Sequence, residues 1–203
     1  MNKARLESFS DGVFAFAITL LVLGFQVPDL KFADDHALGS ALIAQLPQIL
    51  PYLTSFATIG IIWMNHHTMF HEVHQVERGT LVLNLLVLLI VSFIPYPTAV
   101  LGRYGALRSS AVLYGAVLTL LGLTYTALWR HIARRKLSRL CDDPATLRNN
   151  NYRNLIGSVG YPAGTLIAFF SPRFAVTVYL VIALIYFLPE RRLPIPGPPR
   201  SVS

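Results

Sequence analysis

The stretch Ala4–Pro28, "ARLESFSDGVFAFAITLLVLGFQVP", decides the fold. Most of it is apolar enough to sit in lipid, yet Arg5, Glu7, Ser10 and Asp11 stand at its front edge. Ser and Asp are good helix caps, because their oxygens accept from the free amides of a first turn, and Asp suits the positive end of the helix dipole. Capping accounts for "FSD" only if the helix begins at Gly12. From Gly12 to Val27 is 16 residues, about 24 Å at 1.5 Å per residue, short of a hydrocarbon layer about 30 Å thick. The helix is therefore expected to start near Arg5, which leaves Ser10 and Asp11 a turn or more inside a membrane span. An ionisable group placed there needs a partner in the bundle interior.

The rest of the chain has the same character. Of its 203 residues 54% are hydrophobic and only 13% charged, with a mean hydropathy of +0.53. Soluble domains carry about a quarter charged residues. The expected class is an all-α, polytopic membrane protein. The single cysteine, Cys141, excludes a disulfide within the chain. The first apolar run is too long for a signal-peptide core, and no small-residue cleavage site follows it.

Spans need about 20 mostly apolar residues, and six candidates emerge: Ser8–Val27, Leu46–Met69, Thr80–Leu101, Ser109–Trp129, Leu155–Phe170 and Phe174–Leu188. The fifth is the shortest and glycine-rich, and only "SPR" separates it from the sixth, which predicts a tight helical hairpin. An even number puts both termini on one side. With the termini cytoplasmic, 13 Lys and Arg residues fall on the inner face and 4 (Lys31, Arg103, Arg108, Arg173) on the outer, as the positive-inside rule requires. The net charge of +7 then reads as topology, and no nucleic-acid partner is expected. The basic loop Arg130–Arg153 serves as an inside anchor; recognition of anionic lipid head groups is the other use of such a run. The expected organisation is one six-helix domain over residues 1–190 and a proline-rich cytoplasmic tail over 191–203.

In this topology the first span begins inside and the second ends inside. "FSD" and "WMNHH", Trp63–His67, therefore fall at one depth, and an indole N–H, an amide and imidazoles can satisfy a serine and an aspartate. Further along the first span Phe16, Leu20 and Leu23 recur at i, i+4, i+7, with Thr19 beside them. Every other face is apolar too, so periodicity leaves open which face meets lipid, protein or water.

Two other stretches carry signals of their own. In "GSVGYPAG", Gly157–Gly164, the triplet Val159-Gly160-Tyr161 is similar to a carbonyl selectivity filter. Pro162 replaces the final glycine, and the motif lies close to the inner face, so a kinked, closely packed helix is the better reading. In "HHTMFHEVH", His66–His74, a helix would align His67, His71 and His74, a spacing that suits zinc or iron. The spacing is not H-E-x-x-H, and the only other histidines are His36 and His131. A solvated helix end, with charge sensitive to pH, is preferred. No metal site, cofactor, catalytic set or phosphate loop is assigned, and the chain is not read as an enzyme.

The pattern R-x-x-x-F-S-D at Arg5, Phe9, Ser10 and Asp11, then "GVFAFAITLLVL", then W-x-x-H-H at Trp63, His66 and His67, resembles the endosomal–lysosomal potassium channel family (transmembrane protein 175), in particular its half-size bacterial members. The resemblance implies a homotetramer in a cell membrane, the bacterial plasma membrane, whose four first helices line a central pore for potassium. Family pore positions fall on Phe16, Thr19, Leu20 and Leu23, the apolar ones forming a constriction and Thr19 a hydroxyl ring. Family constrictions carry isoleucine or leucine where this chain has Phe16, so the narrowest ring is at Phe16 or deeper at Leu20. The motif residues Arg5, Phe9, Ser10 and Asp11 are implied to hold the first helix against Trp63, Asn65, His66 and His67. Modest selectivity is expected, since an apolar ring supplies no oxygen ligands. The alternative function is a small carrier or exporter of a neutral or cationic solute. It is weakened because Asp11 is the one acidic residue inside a span, whereas coupled carriers place ionisable groups near the midplane.

Overall fold

The computed structural model describes residues 3–30 and 34–187; Lys31 and the tail over 191–203 lie outside them. The described residues form helices joined by turns and short loops, with an isolated antiparallel bridge between Val73 and Ser138. The first helix, α1, runs Lys3–Leu20 and tightens into a 3₁₀ turn over Leu21–Gly24. Asp11 is thus well inside a helix, which removes the capping reading of "FSD".

A short helix, α2, spans Asp35–Ala44 in a segment expected to be loop. Its start is set by Asp34, whose carboxylate accepts from the Ala37 amide at 2.7 Å, a standard helix cap. The second long helix, α3, covers Ile49–His71, behind a 3₁₀ turn at Leu46–Gln48. The third candidate span is two helices: α4, Arg78–Phe93, and α5, Pro95–Tyr104. Pro95 has no N–H to continue the ladder. Ile94 keeps helical backbone angles (φ −53°, ψ −39°), so the rod bends without stopping. The fourth, α6, is longer than expected, Arg108–Arg134. The fifth, α7, starts eleven residues before the expected Leu155 and runs Pro144–Ala168. Asp143 caps it and Pro144 fills its first position, where a missing N–H costs nothing. The last helix, α8, is Pro172–Phe187.

Four segments are long and apolar enough to cross a membrane, Lys3–Gly24, Asp35–His71, Arg78–Tyr104 and Arg108–Arg134, and Pro172–Tyr186 is a shorter apolar helix. The first half of α7 carries "RNNNYRN" and is polar.

Two cores hold the bundle together. One joins α1, α3, α4 and α6 through Phe14, Ile59, Phe70, Val87, Val91 and Leu128. The other joins α5, α6, α7 and α8 through Leu101, Tyr114, Leu118, Tyr161 and Tyr179. Small residues let the helices of the second core approach closely: a Cβ on Gly115 of α6 would lie 1.9 Å from the Tyr179 hydroxyl, and one on Gly164 of α7 2.6 Å from the Tyr179 ring.

One end of the bundle is stitched by its loops. The His74 amide donates to the Leu137 carbonyl at 3.0 Å and the Arg139 amide to the Glu72 carbonyl at 3.2 Å. The turn after α3 is thereby fixed to the turn after α6. Lys3 adds the start of α1 to this end by donating to the His71 carbonyl at 2.6 Å. Lys3, Arg78, Arg130, Arg134, Arg135 and Arg139 gather there, while Arg103, Arg108 and Arg173 stand at helix ends on the opposite side.

Candidate functional site

The buried face of α1 is Leu6, Ser10, Phe14, Ala17 and, in the 3₁₀ turn, Leu21. These residues recur every three or four positions and form one stripe, packed on α3 and α4. Within it Ser10 is fully buried, and so are His66 of α3 and Asn84 of α4. The three form a chain: Asn84 Nδ2 donates to Ser10 Oγ at 3.0 Å, and Asn84 Oδ1 lies 2.6 Å from His66 Nε2. A carbonyl oxygen only accepts, so Nε2 of His66 is the donor. Phe14 and Phe70 enclose the imidazole, with ring centroids at 5.3 and 4.4 Å. This is a satisfied polar link between three helices, and leaving it unmade in an apolar interior would cost more than its formation yields.

One turn of contact further out, Trp63 Nε1 donates to Asp11 Oδ1 at 2.8 Å. The structure thus brings Ser10 and Asp11 together with His66 and Trp63. Asn65 is half-buried, and His67 is exposed with its ring 6.0 Å from that of Trp63. Arg5 is exposed and its side chain makes no hydrogen bond or ion pair among the described residues, and Phe9 is also exposed. Neither contributes to this link within one chain.

The sequence reading missed Asn84. Its signal was available: a lone amide in "LVLNLLVLLIV" has no reason to face lipid. The aligned histidine face is corrected by the helix end. α3 stops at His71, so His74 sits in the following turn and does not continue the row of His67 and His71. Among the described residues no group of three or more His, Cys, Asp or Glu side chains is arranged to hold a metal. Val159, Gly160 and Tyr161 lie inside α7, with the Tyr161 carbonyl accepting from Thr165 Oγ1 at 2.8 Å; that backbone is helix and not a filter loop.

The other side of α1 is open. Phe16 is 65% exposed and Leu23 70% exposed. Thr19 is also exposed and Leu20 half-buried. Because residues 21–24 are 3₁₀, side chains three apart eclipse, and Leu20 and Leu23 stack along one line. Thr19 Oγ1 donates to the Phe16 carbonyl at 2.8 Å, so its proton is used and its lone pairs point away from the helix.

The model of the family described as "Endosomal/lysosomal potassium channel TMEM175" matches residues 5–95, which take in α1 through α4. A potassium channel of Streptomyces collinus is 41% identical over 193 residues, 92% of this chain and 92% of that protein. The chain belongs to the TMEM175 family. The crystal structure of a lysosomal potassium-selective channel TMEM175 homolog from Chamaesiphon minutus superposes with a TM-score of 0.82 at 33% identity, covering 91% of this chain and 96% of that one. The human endosomal/lysosomal proton channel TMEM175 matches over 101 residues at 42% identity, 47% of this chain and 20% of its own length. Membership in TMEM175 agrees with the multi-pass helical fold and with the motif that the sequence carries on α1.

Proposed function

We propose that this chain is one subunit of a passive, potassium-selective cation channel, a homotetramer in which four copies of α1 surround a central pore. The observation that carries the reading is the division of α1. One stripe is buried within the chain, and the opposite side leaves Phe16, Thr19 and Leu23 open, with Leu20 beside them. A helix at the rim of a lone bundle would leave such a stripe to lipid, whereas a helix on a four-fold axis would turn it to water and ions.

In the proposed pore Phe16, Leu20 and Leu23 form apolar rings that gate by dewetting. Thr19 offers an oxygen whose proton is already engaged by the Phe16 carbonyl, so its lone pairs can face a partly dehydrated cation. The proteins that match this chain over nearly its whole length are named potassium channels, while the relatives named proton channels match under half of it; this favours potassium. The proposed topology has six crossings, with α7 and α8 as the last two. Both termini lie on the cytoplasmic side of a plasma membrane, where the basic end of the bundle would meet the rule for positive charge.

The test is potassium flux through purified protein in liposomes. Leu20→Ala and Leu23→Ala should each raise leak and admit more sodium, whereas Leu89→Ala on α4, an exposed leucine outside the proposed pore, should leave flux unchanged. Equal effects at all three positions would overturn the pore assignment. Unitary current far above carrier turnover would separate a channel from a small transporter.

A further inference from the structure

Between the last turns of α6 and the middle of α7 lies an open groove of about 600 Å³, bordered by Leu123, Ala127, Arg130, Arg134 and Ser158. Four of these residues, Leu123, Ala127, Arg130 and Arg134, fall at i, i+4, i+7 and i+11 on α6, which is one face of a helix. The face changes character along its length. Its inner part is apolar and small; its last two turns carry guanidinium groups. From α7, Ser158 borders the groove.

The charges are not all equivalent. Glu77, at the start of α4, lies 3.9 Å from Arg135 Nε and 4.0 Å from His131 Nε2. Its carboxylate pairs with those two side chains, which also border the groove. Arg130 and Arg134 are exposed and have no acidic partner among the described residues. Like charges a turn apart repel only weakly, and the carbonyl end of α6 favours cations, so the pair stands in the free protein and is open to an anion. Guanidinium groups bind phosphate oxygens through two parallel hydrogen bonds.

The groove is itself fixed in shape. Trp129 Nε1 donates to Asn151 Oδ1 at 2.7 Å, and Thr126 Oγ1 to the Asn154 carbonyl at 3.5 Å. These bonds hold the polar half of α7 against α6, so the two walls stand at a set separation before any ligand arrives.

We infer that this groove is a binding site for an anionic phospholipid, with the head-group phosphate between Arg130 and Arg134 and an acyl chain along Leu123 and Ala127. The order of chemistry along α6 matches that of a lipid: apolar toward the middle of the span, cationic at its end. A free phosphate would use the arginines alone and gain nothing from the apolar stretch, which is why the lipid is the occupant favoured. The site lies on the side of the bundle built by α6 and α7 and does not depend on α1 lining a pore.

Native mass spectrometry of the purified full chain, titrated with phosphatidylglycerol or phosphatidylcholine, tests the site. Wild type should retain phosphatidylglycerol in preference to phosphatidylcholine. Arg130→Ala/Arg134→Ala should weaken that binding by roughly thirty-fold, since each basic residue near an anionic surface contributes about a kcal/mol. Arg130→Lys/Arg134→Lys should restore much of it. Arg139→Ala/Arg148→Ala removes the same charge from the same end but outside the groove, and should change binding little. Equal loss in both alanine variants would overturn the site in favour of diffuse surface charge. Displacement of the lipid by millimolar glycerol phosphate would overturn the lipid in favour of a free phosphate. Size-exclusion profiles matching wild type show that each variant is folded.

Discussion

Trp63 on α3 donates its indole N–H to the carboxylate of Asp11 on α1 at 2.8 Å. The bond ties α3 to the one acidic residue of the α1 motif, and it lies just outside the buried chain of Ser10, Asn84 and His66. The two links have different exposures, and so they should respond differently to substitution.

Trp63→Phe removes the donor and keeps most of the ring. The expected cost is about 1 kcal/mol, that of one net hydrogen bond. Asp11→Asn should cost a similar amount. Thermal unfolding in detergent of both single variants and the double variant checks the pair: the double variant should lose less than the sum. Additive losses would show that the two side chains are not coupled.

Asn84→Leu should be more damaging. It strands the Ser10 hydroxyl and the His66 ring N–H in a dry interior, at about 1–3 kcal/mol for each group left unpaired. Replacing all three at once, Ser10→Ala/Asn84→Leu/His66→Phe, removes every polar group of the chain. It should recover part of the loss, because no orphan remains. Unfolding midpoints in one detergent would show whether the triple variant is the more stable of the two.

Gly115→Ala places a methyl group on the Tyr179 hydroxyl and within 2.5 Å of Thr165 Oγ1. The helices must separate, at about 1–3 kcal/mol for overpacking. Tyr179→Phe in the same background removes the nearest atom and should restore part of that stability. No rescue would place the clash elsewhere.

Among the described residues, Lys136 is the one outside glycine with a positive φ, at 52°. It follows α6 in a two-bond helix end: its amide donates to the Ala133 carbonyl at 3.1 Å, and the Leu137 amide to the Ile132 carbonyl at 3.0 Å. Glycine is the usual occupant of that position, because a Cβ there meets the carbonyl. Lys136→Gly should therefore raise stability by about 1 kcal/mol, read as a higher unfolding midpoint. A lower midpoint would mean that the lysine makes a compensating contact.

Asp143 caps α7 by accepting from the Thr146 hydroxyl and from the Thr146 and Ala145 amides. Those bonds, first that of the Thr146 hydroxyl, hold its carboxyl below the ordinary value of 3.8. The folded form thus prefers the ionised group. The cap contributes in full above that ordinary value and is lost as pH falls through the depressed one. Asp143→Ala should speed amide exchange in the first turn of α7 at about pH 7, and the difference from wild type should shrink toward about pH 2. A difference that persists unchanged in acid would assign the effect to something other than the carboxylate.

Much of this architecture was legible residue by residue. Membrane character followed from the shortage of charge. The start of α1 well before Gly12 followed from length alone, since a helix from Gly12 is too short for the hydrocarbon layer. The pairing of "FSD" with "WMNHH" followed from depth, because antiparallel neighbours bring a beginning beside an end. Other parts were hidden. α2 has no clear signature, because "DHALGSALIA" lies between prolines and is neither long nor strongly periodic. The early start of α7 was masked by its asparagines, which are weak helix formers, although Asp143-Pro144 was a cap signal in plain view.

The sequence by itself determined that this chain is a bundle of long apolar helices, and which short motif sits inside the first of them; hydrocarbon thickness and helix rise leave little choice in either. Only the tertiary structure decided which sides of those helices meet. In a helix that is apolar all round, no periodicity marks the inward face, so the partner of Ser10 could not be read from the chain. Packing of α4 against α1 and α3 placed Asn84 between Ser10 and His66 and turned Phe16, Thr19 and Leu23 outward, and packing of α7 on α6 set two arginines along one groove.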